Sequence, residues 1–150
     1  MHNIPHIRYG KSATQAIAQN TLTILSFPTK VDDWLISSQS EWGTGTGSVA
    51  SSRYTPKLPG AYRVSVSVAM ASTAWVAGNR LSLFIQRSAA TISQLDEYFA
   101  VGTFTRQITY SDTIYCGVGD YIEAYIFQSV VASLNTDSSS VTCFIAIERQ

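Results

Sequence analysis

Alternation of apolar and polar residues with a period of two dominates the second half of the chain. Val64, Val66 and Val68 alternate with Ser65 and Ser67, as in a strand with one buried face. Similar runs, rich in β-branched or aromatic residues and bounded by turn residues, predict further strands. These runs cover residues 21–27, 80–86, 107–116, 121–128 and 141–148. No segment predicts a helix.

Turn residues separate the predicted strands at positions 58–60, 77–79, 117–120 and 135–138. We interpret Pro59 and Gly60 as one structural turn and Gly119 and Asp120 as another. A glycine can take a positive φ angle, and an aspartate can hydrogen-bond the backbone of a turn. Many short strands joined by such turns predict an all-β protein with an antiparallel β-sandwich.

Three segments lack a clean period. Residues 1–20 predict a short N-terminal arm, which leaves residues 21–150 as a single sandwich domain. Residues 37–52 contain a Gly/Thr run and predict a long flexible loop. Residues 88–102 predict a long connection with room for a short extra strand.

The last two predicted strands are apolar on both sides. Ile145 and Ile147 alternate with Phe144 and Ala146, and residues 121–127 are similar apart from one glutamate. Because one core covers only one face of an antiparallel sheet, such strands indicate a second buried surface. The sequence therefore predicts an oligomer. The alternative is that a loop such as residues 88–102 folds over this face.

From Tyr54 onward the order of these features resembles the jelly-roll family of the complement C1q globular head and tumour necrosis factor, particularly its versions in phage virion proteins. An aromatic residue and a proline precede a Pro-Gly-aromatic strand, and an apolar strand ends at a Gly-Asp turn before an aromatic-rich strand. The segments that carry the resemblance are residues 54–64, 81–87, 114–123 and 140–147. The resemblance implies a jelly roll.

The same resemblance implies a homotrimer around a threefold axis, with one sheet face and the final strands forming the interface. Five aromatic residues are expected near that interface, although each is equally well explained as an ordinary core residue. They are Tyr115, Tyr121, Tyr125, Phe127 and Phe144.

Charge is unusually low for a soluble domain. Of the 150 residues 13% are charged, against about 25% on average, and ten Lys and Arg balance ten Asp and Glu. Ser and Thr, 20 and 15 residues, supply the polar surface. Disorder requires a high net charge and nucleic-acid binding requires a basic excess, so both classes are excluded. No apolar run reaches the roughly 18 residues of a membrane span, and no signal peptide is recognisable.

Residues suited to catalysis are few. Both histidines lie within the first six residues, and Cys116 and Cys143 sit in apolar runs that favour buried, reduced thiols, although pairing stays open. The adjacent carboxylates at 32–33 and 96–97 point apart on an extended chain. Neither calcium-loop spacing nor a zinc cluster is present. We expect a protein without enzymatic activity, metal or cofactor.

These observations predict a phage virion structural protein, a trimeric capsid decoration or cement protein assembled in the bacterial cytoplasm. The N-terminal arm is expected to contact the major capsid protein through His6, Arg8, Tyr9 and Lys11. The alternative is a tail-tip, head-fibre or receptor-binding module that recognises a host surface glycan. A small glycan-active enzyme is disfavoured because no acid/base constellation is apparent.

Overall fold

The computed structural model describes residues 6–33, 40–43 and 51–150, and these residues form strands, turns and loops without a helix. The strands are β1 (His6–Gly10), β2 (Ala16–Ala18), β3 (Thr23–Ile24), β4 (Thr29–Asp33), β5 (Ser40–Trp42), β6 (Arg53–Pro56), β7 (Gly60–Trp75), β8 (Arg80–Arg87), β9 (Ala90–Tyr98), β10 (Gly102–Cys116), β11 (Ile122–Gln128), β12 (Ser133–Asn135) and β13 (Phe144–Arg149). No helix long and apolar enough to cross a bilayer occurs among them.

A five-stranded and a six-stranded antiparallel sheet pack face to face. The front sheet has the order β10-β7-β13-β1-β4, and the back sheet has the order β5-β6-β11-β8-β9, with β3 also pairing to β11. A small third sheet joins β12 to β2. The predicted all-β antiparallel sandwich is confirmed.

The core fills the space between the two sheets. Val64 and Val66 of β7 and Ile145 of β13 point inward from the front sheet, and Leu83 and Ile126 point inward from the back sheet. Each is at most 1% exposed. Because removing such a side chain from water contributes about 1.5–3 kcal/mol, this period-two pattern fixes which face of each strand is inside.

The structure corrects the boundary predicted at residue 20. β1 lies inside the front sheet, paired on one side with β13 and on the other with β4. Ile7 is 2% exposed and Ile17 is fully buried. Residues 6–20 therefore belong to the sandwich rather than to a separate arm, while residues 1–5 lie outside the described residues.

Two other segments also differ from expectation. The connection predicted at 88–102 contains the nine-residue strand β9, which pairs with β8 at the edge of the back sheet and leaves the outer side of β13 uncovered. Most of the loop predicted at 37–52 lies outside the described residues, but β5 forms within it and pairs with β6. In the run 21–27 only Thr23–Ile24 is a strand.

Candidate functional site

The outward surface of the front sheet, here called the front face, is rich in hydroxyl groups. The register places Ser65 between Ser111 of β10 and Ala146 of β13, and Ser67 between Thr109 and Phe144. The Ser65 and Ser111 hydroxyls are hydrogen-bonded to each other at 2.7 Å. The centre of this surface is therefore made of short side chains that lie close to the sheet.

Ser67 organises the hydroxyl network of the front face. Its Oγ donates to the Thr142 carbonyl at 3.0 Å. The same oxygen accepts hydrogen bonds from Gln107 Nε2 at 2.9 Å and Thr109 Oγ1 at 3.0 Å. Ser67 is fully buried although it points away from the core, because these neighbours cover it. A buried hydroxyl with three partners holds the side chains around it in fixed positions.

Two aromatic residues stand on the same face. Phe144 is half-buried under the Arg8 guanidinium, whose central carbon lies 3.9 Å from the ring centroid. Tyr115 near the end of β10 is 63% exposed. Beside Arg8 a shallow depression of about 360 Å³ is lined by His6, Asp32, Arg63 and Glu148 among others. The front face thus combines a neutral hydroxyl centre with charges of both signs at one end.

The outward surface of the back sheet, here called the back face, is aromatic. Tyr121 leads into β11, and Phe127 lies further along that strand. Arg53 lies over the Tyr121 ring at 3.8 Å from its centroid, and Arg80 lies over Phe127 at 4.3 Å. Guanidinium groups therefore cover aromatic rings that would otherwise be open to solvent.

A buried ion pair anchors the same face. Glu123 is 2% exposed, and its Oε2 accepts hydrogen bonds from Arg53 Nε at 3.3 Å and Nη2 at 3.2 Å. The two residues face each other across β6 and β11. Burial, followed by the charge of Glu123, raises the pKa of Tyr125 next to them. The glutamate that interrupts the apolar pattern of β11 is thus covered by a strand 70 residues earlier.

The structure does not bring the five predicted interface aromatics together. Tyr115 and Phe144 lie on the front face, whereas Tyr121, Tyr125 and Phe127 lie on the outer side of β11. The outer sides of the two sheets of a sandwich point in opposite directions, so these groups cannot share one flat interface. Alternation identifies the outer residues of each strand but not the sheet to which the strand belongs.

The four residues expected to contact a capsid from an arm are held in β1 or just after it. His6 and Arg8 reach the front face, where His6 Nε2 is 3.1 Å from Asp32 Oδ2. Tyr9 stacks on Trp42 of β5, with ring centroids 4.9 Å apart, and so links the two sheets. This placement removes the physical basis for contact through a free arm.

Lys11 is buried, with 3% exposure. Its Nζ donates to Gln15 Oε1 and to the Ser26 carbonyl, both at 2.6 Å. Burial lowers its pKa from 10.5 to about 8, against the opposing influence of Cys143. Lys11 therefore tethers the end of β1 to the segment that follows β3, and its amine is turned away from solvent.

The residues interpreted as turns bracket the long strands. Gly60 begins β7 with φ +155°, and an added Cβ would lie 3.2 Å from Arg149 Nε. Pro59 precedes it, and its carbonyl accepts a hydrogen bond from Arg149 Nη2 at 3.3 Å. Gly119 has φ +89°, and Asp120 Oδ2 accepts from the Gly117 amide at 2.8 Å. These contacts fix the turns that precede β7 and β11.

Both cysteines are buried free thiols. Cys116 faces Gly60 at one end of β7, and Cys143 Sγ accepts a hydrogen bond from the Ala69 amide at 3.3 Å. Gly60 and Ala69 are nine residues apart, roughly 30 Å along a strand, far beyond the roughly 7 Å limit for a disulfide. Burial raises the pKa of Cys116 to about 11 and also raises that of Cys143. Both thiols are therefore protonated at neutral pH and unsuited to nucleophilic attack.

Within residues 6–33, 40–43 and 51–150, no three or more His, Cys, Asp or Glu side chains gather where they could hold a metal ion.

A cavity of about 550 Å³, here called the bulge cavity, opens where β7 and β10 fall out of register between Phe104 and Arg106. Ala69, Met70 and Ala71 of β7 line one side. Residues 135–137 line another side, because they run beside β7. The Asp137 amide donates a hydrogen bond to the Ala69 carbonyl at 2.8 Å. No local pattern of the sequence signals this cavity, since its walls come from five stretches of the chain, at residues 14, 69–71, 105–107, 135–137 and 142.

Comparison with known proteins establishes the class of fold. No protein-family model and no curated protein sequence matches this chain. Among solved structures, it is similar to the Eiger TNF of S. frugiperda, with a TM-score of 0.66 and 9% identity over 98% of this chain and 92% of that one. It is equally similar to murine APRIL at pH 5.0, with a TM-score of 0.66 and 10% identity over 98% and 99%.

The protein therefore has the TNF-like jelly-roll fold. The resemblance stated from the sequence is confirmed for the fold, and at these identities the likeness extends to the fold alone.

Proposed function

We propose that this protein is a structural component of a bacteriophage virion, a homotrimer that associates through the front face and decorates the capsid by contact with the major capsid protein. The observation that carries self-association is the hydroxyl-rich front face, which is flat at Ser65 and held in place by the buried Ser67. The virion assignment is supported by the resemblance of residues 54–147 to phage versions of this fold and by the low charge of the chain.

The side chains of the front face suit burial against a second copy. Serine and threonine lose little conformational freedom when they are immobilised, and the existing bonds of Ser65 and Ser67 have already ordered them. Phe144 and Tyr115 supply aromatic anchors of the kind enriched at interfaces. At the other side of the face, Arg8 and Glu148 offer both signs of charge, as a heterologous contact around a threefold axis requires.

The oligomer is tested by a paired substitution. Ser65→Arg places a long cation at the centre of the front face, while Gln94→Arg makes the same change at an exposed back-face position. We expect light scattering to give three times the 16.4 kDa chain mass for the unmodified protein and for Gln94→Arg, and a monomer for Ser65→Arg. A monomeric unmodified protein at micromolar concentration, or a trimeric Ser65→Arg, contradicts the proposal.

The capsid partner needs a separate measurement. Capsids assembled from the major capsid protein of the same genome are mixed with the purified chain, sedimented and heated. We expect saturable co-sedimentation and a higher capsid melting temperature, both lost with Ser65→Arg if only the trimer binds. If the intact trimer does not co-sediment with capsids, the decoration role is contradicted but self-association is unaffected.

A second candidate is a receptor-binding module that recognises a host surface glycan. The bulge cavity is the observation that favours it, because it is a recess of ligand size with both apolar and polar lining residues. Binding of the labelled chain to intact host cells, competed by soluble glycan, supports this candidate. Capsid binding without cell binding supports the first.

A further inference from the structure

We propose that the bulge cavity binds one unit of a neutral saccharide. The proposal deepens the second candidate function, and it does not require association through the front face. At about 550 Å³ the cavity falls within the roughly 300–1,000 Å³ range of small-molecule sites. It also lies at a β-bulge, a feature that often re-aims strands beside binding sites.

One wall of the cavity is apolar and shallow. Ala69 and Ala71 contribute its side chains, each only a methyl group, while the side chain of Met70 between them is buried in the core. A pyranose ring has a face of C–H groups that packs against such a surface, while its hydroxyls point outward around the rim. The wall therefore matches the less polar face of a sugar and leaves room for the ring.

The opposite side of the cavity is lined by neutral polar side chains. Each sugar hydroxyl both donates and accepts, and side-chain amides and hydroxyls offer both functions. Asn135 offers an amide, and Thr14 and Thr105 offer hydroxyls. In the described part of the chain no side-chain hydrogen bond uses these three groups, so they are available to a ligand, whereas Gln107 Nε2 is already committed to Ser67.

The two charged side chains of the cavity, Arg106 and Asp137, already have hydrogen-bond partners. Arg106 Nε donates to Glu97 at 2.8 Å. The Asp137 carboxylate accepts from Thr142 Oγ1 at 2.8 Å and from the Ser138 amide at 2.7 Å. Arg106 is therefore paired, while Asp137 keeps its negative charge among neutral donors, so an anion would be repelled by Asp137 and would lose hydration without gaining an unpaired cation. A neutral ligand avoids this cost.

The backbone around the cavity is fixed before any ligand arrives. Thr136 bridges to Met70, and its amide donates to the Gln15 carbonyl at 2.9 Å. Its hydroxyl in turn accepts from the Gln15 amide at 2.9 Å. Asn135 is thereby presented from β12, whose pairing with β2 holds it from the other side. Preformed walls reduce the entropy lost on binding.

The test is a titration of the 150-residue chain with glucose, galactose, mannose and N-acetylglucosamine, monitored by calorimetry or by chemical shifts, with inorganic phosphate as the anionic comparison. We expect saturable millimolar binding of at least one sugar and none of phosphate. Asn135→Ala should weaken that binding about tenfold or more, and Ala71→Trp, which fills the cavity, should abolish it. Gln94→Ala on the back face is the matched control and should leave it unchanged.

Several results would overturn the proposal. They are no saturable binding by any of the four sugars, preferential binding of phosphate, or sugar binding that survives both Asn135→Ala and Ala71→Trp. Thermal unfolding of each variant separates loss of the site from loss of the fold, because both positions are exposed. The mass of the oligomer is recorded in the same samples, so a failed sugar titration is distinguishable from failed self-association.

Discussion

The front and back faces are outer surfaces of antiparallel sheets of similar size, yet their polar side chains are arranged differently. On the front face, hydroxyls bond to one another in the plane of the sheet, as Ser65 does with Ser111. On the back face, long side chains rise from the sheet and fold over their neighbours, as Arg53 does over Tyr121 and Glu123. Long side chains therefore cover most of the aromatic rings of the back face, whereas on the front face Arg8 covers Phe144 and the hydroxyl centre around Ser65 stays flat.

This difference shows why aromatic content is a poor guide to an interface. β11 has the more aromatic outer side, but guanidinium groups lie over Tyr121 and Phe127. Those contacts are available within one chain and contribute about 0.5–1 kcal/mol each at exposed sites. The outer side of β13 carries Phe144, Ala146 and Glu148, of which one is aromatic, yet it adjoins the flat hydroxyl centre around Ser65.

The largest effect is expected at the ion pair of the back face. Arg53→Met leaves the Glu123 carboxylate buried without its partner, and we expect a loss of about 3 kcal/mol in the free energy of unfolding. Urea unfolding measures it. The double variant Arg53→Met/Glu123→Leu should recover most of the loss, since an apolar pair has no buried charge. A cost below about 1 kcal/mol for the single variant would mean that solvent reaches Glu123.

A smaller, pH-dependent effect is expected at Lys11, which links the front sheet to the segment after β3. Its pKa is about 8 in the folded protein and 10.5 when unfolded, so between these values the unfolded state binds more protons. Stability from this group therefore rises with pH across that window and is constant below it. From pH 7 to pH 10 the protein should gain about 2 kcal/mol relative to Lys11→Met. Parallel stability profiles for the two proteins would contradict the buried ammonium.

The smallest effects are expected among the hydroxyls of the front face. Ser67→Ala removes a hydroxyl with three partners, and we expect a cost of about 1 kcal/mol in the monomeric Ser65→Arg background. Ser111→Ala removes a more exposed hydroxyl and should cost less than about 0.5 kcal/mol in the unmodified chain. If Ser67→Ala costs as much as Arg53→Met, the two faces do not differ in the way described.

A strand with one face in the core could be predicted from the sequence, because its apolar and polar residues alternate. A strand whose position depends on pairing with a distant segment could not. β7 shows its alternation openly because Val64, Val66 and Val68 all face the core. β1 contributes little more than Ile7 to that pattern, and its partner β13 lies more than 130 residues later. β9 is an edge strand with mostly exposed side chains, so its residues carry no strong period.

The same reasoning applies to the candidate sites. The sequence predicts two-sided strands, and the structure leaves the outer side of β13 uncovered. It gives no sign that Arg53 covers Glu123 or that residues 135–137 run beside β7, because each contact joins segments about 65 to 70 residues apart. Such pairings depend on topology rather than on local composition.

The position of β13 has a consequence for how the protein is made. β13 is central in the front sheet, between β7 and β1, but it is the final strand in the described chain. During synthesis, the edges of β7 and β1 that pair with β13 stay unpaired until residues 144–149 leave the ribosome. A ribosome that stalls before this point leaves an incomplete chain whose open slot can accept the final strand of a neighbouring copy. Few charged side chains are present to keep such chains apart, so translation speed across residues 144–149 should govern the soluble yield.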